Sequence, residues 1–207
     1  MKNCLKSVLV LFFLVAFTNI YAQVGSEYIF GVNLSTMTIK TKGISTIPKA
    51  SAGIHYGGCL DLPLTDNFSL QPGLMFSAKG TSYKIDTLEY IISPIYIEVS
   101  LISKYSFGSD AIKGTIFAGP YFACGVGGYK IEPGGDFKSL RFGSGGIADL
   151  KAFDVGLNFG AGIKIRSFMI SVQYGIGLAD IVPSYSGDLE MKNRVLGISL
   201  NTLFANR

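Results

Sequence analysis

Acid–base chemistry in this chain would have to centre on His55, its one histidine. An imidazole can act as a general base or a proton-sensitive gate because it titrates near neutrality. The carboxylate that shares its parity, Asp61, lies roughly 20 Å further along an extended backbone. Spacing therefore supplies no Ser–His–Asp set. Asp61, Lys79, Glu98, Lys104, Asp154 and Lys164, together with His55 and Asn158, recur at one parity of alternating segments. Such a set is either an ion or solute path or a plug of mutually paired charges. Opposite signs favour the plug, because buried charges must be paired and a selective pore more often carries a ring of one sign. Cys59 and Cys124 form no CxxC or Cys/His metal pattern. Their parities place them on opposite faces, so both are expected as free thiols. Asp136, Asp149, Asp188 and Glu190 lie in aperiodic stretches without EF-hand spacing and read as solvated. The glycine-rich GGYKIEPGG and FGSGGIAD lack the Lys-Ser/Thr of a phosphate loop. No catalytic residue, metal or cofactor is expected, and the chain reads as a non-enzyme.

The elements that must position these residues are strands. In KAFDVGLNFGAGIKI, Lys151–Ile165, one parity holds Phe153, Val155, Leu157, Phe159, Ala161, Ile163 and Ile165. The other holds Ala152, Asp154, Gly156, Asn158, Gly160, Gly162 and Lys164. Successive strand side chains point to opposite faces, so one face is apolar throughout and the other small or polar. Its length matches the roughly 9–11 residues of a membrane-crossing strand. The same alternation marks Tyr28–Thr38, Ala50–Leu62, Phe68–Lys79, Tyr90–Tyr105, Ile112–Val126, Phe168–Leu178 and Asn193–Phe204. Connections alternate long and short along the chain, as they do in outer-membrane barrels. The fold expected is all-β: an eight-stranded antiparallel up-and-down transmembrane β-barrel. Eight strands leave an interior just wide enough for side chains. Pro72 and Pro94 fall mid-strand and require a bulge or its equivalent.

Residues 1–22 stand apart. Lys2 and Lys6 precede an apolar run from Leu5 to Phe17, and Ala22 precedes Gln23. This is the pattern of a cleaved signal peptide, leaving 23–207 as the barrel domain and the outer membrane as destination. Charged residues are only 15 % of the chain and net charge is +4 without a basic run, which excludes nucleic acid as a partner. The partners expected are outer-membrane lipid, the barrel assembly machinery and an unidentified extracellular or envelope protein, with the barrel itself a monomer. Gly127–Leu150 is the longest aperiodic stretch. On it Tyr129, Phe137, Leu140, Arg141 and Phe142 form the candidate contact loop, since binding residues concentrate on loops of rigid scaffolds. The role expected is structural or interaction-based through the long loops. The alternatives are a small-solute channel, a secretion-associated barrel or a barrel enzyme, and a soluble lipocalin-like binder with the apolar parity turned inward is a further rival.

Five segments in order, LQPGLMFSAKG at Leu70–Gly80, Tyr90-x-x-x-Pro94, FAGPYF at Phe117–Phe122, FDVGLNFGAGIKI at Phe153–Ile165 and KNRVLGISL at Lys192–Leu200, resemble the PorT-like outer-membrane β-barrel family of Bacteroidetes-type bacteria. The resemblance spans essentially the whole chain after residue 22. It implies an eight-stranded outer-membrane barrel and little about activity. The chain departs from the family pattern at Ile92 and Glu98, and in ending Phe204-Ala-Asn-Arg rather than on the aromatic.

Overall fold

The computed structural model describes residues 24–41, 44–85, 88–109, 111–145, 147–183 and 189–205. The expected signal peptide lies outside these residues. Eight long strands form the wall: β1 Gly25–Thr41, β3 Lys49–Pro63, β4 Phe68–Ala78, β6 Leu88–Gly108, β7 Ile112–Ile131, β9 Phe153–Ile165, β10 Phe168–Gly177 and β11 Leu189–Ala205. Three short strands, β2 Ile44–Thr46, β5 Thr81–Ile85 and β8 Phe137–Ser139, extend it at one end. Every neighbouring pair is antiparallel, and β1 pairs with both β3 and β11, so the sheet closes on itself. Closure leaves no barrel strand with an unpaired edge, the condition for placing backbone in hydrocarbon.

Alternation places the apolar parity outward. Tyr28, Phe30, Val32 and Leu34 of β1 are exposed while Glu27, Asn33 and Ser35 of the other parity are buried. Ile170 and Ile163 are 63 % and 58 % exposed, an apolar surface that suits lipid and not water. A lipocalin-like arrangement, which needs the apolar parity inside, is thereby excluded. At the end with the tight turns, Tyr28, Phe68, Tyr105, Phe107, Phe168 and Phe204 ring the outer face, with Tyr28 edge-on to Phe204 at 5.7 Å. Such a ring marks a membrane–water interface.

The prolines are accommodated in two ways. The β6–β7 register shifts between Ile95 and Tyr96, which face Gly127 and Gly125. Val126 is therefore the extra residue of a bulge next to Pro94. At Pro72 there is no bulge. The β3–β4 ladder skips from Cys59↔Gly73 to Leu62↔Leu70, dropping the rung that Pro72 cannot donate. Pro120 interrupts β6–β7 likewise between Ser100↔Tyr121 and Ser103↔Ala118.

Two expectations need correction. The stretch Gly127–Leu150 is not aperiodic throughout: β7 runs on to Ile131 and β8 folds back on it, Tyr129 facing Ser139. Hydrogen bonding to the wall outlasts the amphipathic signal there. Cys59 is free, so no Cys59–Cys124 bridge exists. Cys124, expected as a free thiol as well, is not one.

Candidate functional site

The inward parity fills the barrel with two ionic tiers. Nearest the tight turns, Lys104 sits 3.1 Å from Glu27 Oε2 and 3.0 Å from Asp61 Oδ1. Gln71 Nε2 donates to both carboxylates at 2.8 and 2.9 Å, Ser69 donates to Asp61 at 2.8 Å, and Asn201 donates to Glu27 Oε1 at 2.6 Å. Towards the long loops, Lys79 sits 2.9 Å from Glu98 Oε1 and 3.3 Å from Asp154 Oδ2. Tyr121 and Asn193 also donate to Asp154 Oδ2, at 3.0 and 2.8 Å. The Lys79 ammonium lies 4.5 Å from the Tyr121 ring centroid and 5.0 Å from that of Tyr96, close enough for cation–π attraction. Tyr121 faces Gly156 across β7–β9. A Cβ on Gly156 would lie 2.6 Å from the Tyr121 ring, so the glycine makes room for it. Each tier thus holds one lysine between two carboxylates, in an interior where a lone charge would be very costly. In the Lys79 tier Asp154 Oδ1, Asn193 Oδ1, the Tyr96 hydroxyl and, beyond its ion pair with Lys79, Glu98 Oε1 have no hydrogen-bond partner among the described residues.

Between the tiers lies a neutral relay. His55 Nδ1 is 2.7 Å from Asn33 Oδ1 and its Nε2 is 2.7 Å from Ser199 Oγ. Asn33 Nδ2 donates to Ser77 Oγ and the Ala78 carbonyl. That fixes the amide so that Nδ1 donates to Oδ1 and Nε2 accepts the Ser199 hydroxyl proton. The geometry is that of a nucleophile, a base and an orienting group. It arises because Gly31 of β1 faces His55 on one side and Ser199 on the other. A Cβ on Gly31 would sit 2.5 Å from Nε2 and 2.2 Å from the Ile198 carbonyl. The imidazole therefore crosses the glycine to reach the next strand but one. His55 is fully buried and Ser199 nearly so. The cavity that Ser199 lines, with Asn158, Gln173 and Asn201 among others, is about 40 Å³. That volume holds little more than one water and admits no substrate.

All eight polar residues singled out in the sequence point inward. His55, Lys79, Glu98, Lys104, Asp154 and Asn158 are buried, while Asp61 and Lys164 are part-exposed. Asp61, Lys79, Glu98, Lys104 and Asp154 form the two ionic tiers. Asn158 lines the small cavity, and Lys164 stands apart at the tight-turn mouth. Glu27, Asn33, Tyr121, Asn193 and Ser199 complete these networks. Glu27 carries the same alternating parity as Asn33, and extending the first strand by one residue would have found it. Among the described residues, no group of His, Cys, Asp and Glu side chains could hold a metal.

The long-loop mouth is closed by an apolar plug. Met37, Leu140, Leu150, Ile181, Val182 and Met191 form one buried cluster with Phe142 packed against it, and Phe142 also meets the Tyr96 ring at 6.0 Å. The five loop residues thus separate. Leu140 is buried and Phe142 half-buried in the plug, whereas Tyr129, Phe137 and Arg141 are exposed, with Tyr129 against Phe137 at 5.7 Å. Loop acids are not simply solvated. Asp149 accepts from Lys130 at 2.6 Å and from the Arg141 N–H at 2.9 Å, and Glu132 pairs with Lys138.

Asp180 pins the last loop to the plug. Its Oδ1 accepts the Val182 and Met191 N–H groups at 3.1 and 3.0 Å, and Lys151 reaches Oδ2 at 3.1 Å. Partial burial pushes the carboxyl up, but the two amides and Lys151 outweigh it and hold the group below the ordinary carboxylate value. A depressed folded pKa stabilises above the unfolded value near ~4 and is lost as pH falls through the lower folded value. Asp180→Ala should therefore speed amide exchange at Val182 and Met191 at neutral pH by about 10-fold, or ~1.4 kcal/mol. The wild type should approach the mutant only in strong acid. Equal exchange in the two proteins at pH 7 would remove this role.

A closed antiparallel wall with an apolar exterior, an aromatic ring at one interface and a filled polar lumen defines a transmembrane β-barrel. The chain belongs to the outer membrane protein beta-barrel domain family, whose model matches residues 19–182, and its place is the outer membrane. No curated protein is detectably similar to it. Solved structures of similar fold include Ail of Yersinia pestis, 14 % identical, covering 86 % of this chain and 99 % of that one with TM-score 0.41. Neisserial surface protein A is 9 % identical, covering 84 % and 96 %, TM-score 0.44. OprG of Pseudomonas aeruginosa is 12 % identical, covering 89 % and 97 %, TM-score 0.44.

Proposed function

We propose that this protein is a non-conducting, non-catalytic outer-membrane barrel that acts through its long loops, which face the cell exterior. The observation that carries the reading is the sealed lumen. A path through the barrel would have to break two ionic tiers and the apolar plug, while the β7–β8 hairpin stands clear with Tyr129, Phe137 and Arg141 exposed. Burial of Ser199 and His55 beside a cavity of about 40 Å³ argues against an enzyme despite their alignment. The five sequence segments support membership of the PorT-like branch, with residues 1–22 removed on export and a monomer inserted by the barrel assembly machinery.

The test uses protein purified from outer membranes, with an intact mass beginning at Gln23. Planar bilayers should show no stepwise conductance. A photo-crosslinking residue at Phe137 should capture an envelope or extracellular protein in living cells, whereas one at lipid-facing Val172 should not. Steady conductance, or equal crosslinking at the two positions, would overturn the reading.

A further inference from the structure

The outer face of the wall changes character along β11. Its outward parity runs Phe204, Thr202, Leu200, Ile198 and Leu196, and then Arg194, Lys192 and Glu190. From Phe204, in the aromatic ring, to Arg194 is a climb of roughly 25 Å along the barrel axis, at ~3.4 Å per residue and a tilt of about 40°. An outer-membrane barrel presents an apolar band of about that height. Arg194 therefore stands at the edge of the hydrocarbon on the long-loop side, with Lys192 at headgroup depth above it. On β1 the outward parity of Val32 and Leu34 leads to Thr38, opposite Lys192, and to Lys40, opposite Glu190. β10, on the other side, stays apolar, with Ile176 opposite Arg194. The cations are thus gathered on one sector.

Three cations share this sector with one carboxylate. Glu190 lies 3.9 Å from Lys192 in a loose, solvent-facing pair, a contact of little energetic weight. Arg194 donates through Nη1 to the Gly177 and Asn193 carbonyls at 2.8 and 2.9 Å, and among the described residues no carboxylate pairs with it. The guanidinium is anchored while its charge stays uncompensated. Directly below, the outer wall carries a groove of about 430 Å³ lined by Val32, Leu34, Ala52, Ile54, Leu196 and Ile198. The small Ala52 faces Leu34 across β1–β3, where the next outward residues of β3 are Ile54 and Tyr56. Leu196, at the groove's upper end, is the outward residue immediately below Arg194. An apolar slot at hydrocarbon depth is capped by cations at headgroup depth.

We infer that this sector of the wall seats one phosphorylated lipid, its phosphate among Arg194, Lys192 and Lys40 and an acyl chain in the groove. The guanidinium fork matches phosphate oxygens, and the two ammonium groups add point charges. Basic residues near a membrane surface each attract anionic headgroups. A soluble partner cannot fill the slot, because only a chain already in the bilayer reaches that depth. With the long loops outside, the lipid belongs to the outer leaflet. The choice of leaflet rests on the proposed orientation, but the binding itself does not.

The test is native mass spectrometry of the full barrel released from phosphatidylcholine nanodiscs doped with lipid A, with dephosphorylated lipid A as comparison. The barrel should retain lipid A in preference to phosphatidylcholine and to the dephosphorylated form. The double variant Arg194→Gln/Lys192→Gln should cut that preference by about 10-fold or more. Ala52→Phe fills the groove, leaves all three cations in place and should weaken retention as well. Heat-modifiable migration of each variant checks that the barrel has formed. Equal retention of the two lipid A forms, or unchanged retention by the double variant, would overturn the phosphate site. Unchanged retention by Ala52→Phe would overturn the acyl seat. Excess inorganic phosphate should not displace the lipid, and displacement would reduce the site to one for free anions. Orientation is read separately. A photo-crosslinking residue at Thr38 should capture a lipid A-containing glycolipid in living cells. Capture of phospholipid alone would reverse the topology and leave the nanodisc result standing.

Discussion

Replacing Lys79 with methionine should destabilise the barrel by about 3–5 kcal/mol, the cost of breaking a buried ion pair from one side. Among the described residues, the ammonium is the only cation paired with both Glu98 and Asp154, and all three side chains are buried. Methionine keeps the length and removes the charge, so two carboxylates would face each other unscreened. The double variant Lys79→Met/Glu98→Gln restores the tier's wild-type charge of minus one, and Tyr121 and Asn193 still serve Asp154. It should therefore recover much of the loss. Urea unfolding in lipid vesicles measures both. A single variant as stable as wild type would mean that the tier is not an electrostatic plug.

The second large effect tests the opposite face. Val172→Arg puts a cation on the outer surface near mid-strand, where Val172 is 48 % exposed among apolar neighbours Ala161 and Ile198. Near the bilayer midplane such a charge costs about 2–4 kcal/mol, and less towards the interfaces. The same substitution at Phe168, within the aromatic ring by the tight turns, should cost roughly 1 kcal/mol or less by that depth dependence. If the two variants unfold at the same urea concentration, the outer face does not meet hydrocarbon.

The wall was legible because lipid and lumen impose opposite demands on alternate residues. In Phe153–Ile165 no position breaks that rule, and the strand ends at Ile165 as expected but begins two residues after Lys151. Legibility failed where the pressure is absent. Above the membrane β7 needs no apolar face, so its continuation to Ile131 left no periodic trace. Leu140, Leu150 and Ile181 read as loop residues because their partners come from two separate connections and from the ends of β1 and β11. The relay of Asn33, His55 and Ser199 was invisible for another reason. Its members sit on β1, β3 and β11, and the chain's ends become neighbours only when the barrel closes. Spacing along one strand, the measure that separated His55 from Asp61, says nothing about residues that meet around the circumference.

The dropped rungs at Pro72 and Pro120 have a mechanical consequence. They lie on the two outer sides of β4 and β6, while the ladder between these strands is continuous from Phe68↔Tyr105 to Ala78↔Ile95. The pair is thus a stiff stave set between two compliant seams. Gln71, Glu98 and Lys104 ride on it, and Lys79 follows directly after β4. A lateral load on the wall, from membrane thickness or from a protein gripping the loops, would bend at these seams first. Both ionic tiers would then shift together, coupling the two ends of the barrel through a single rigid lever.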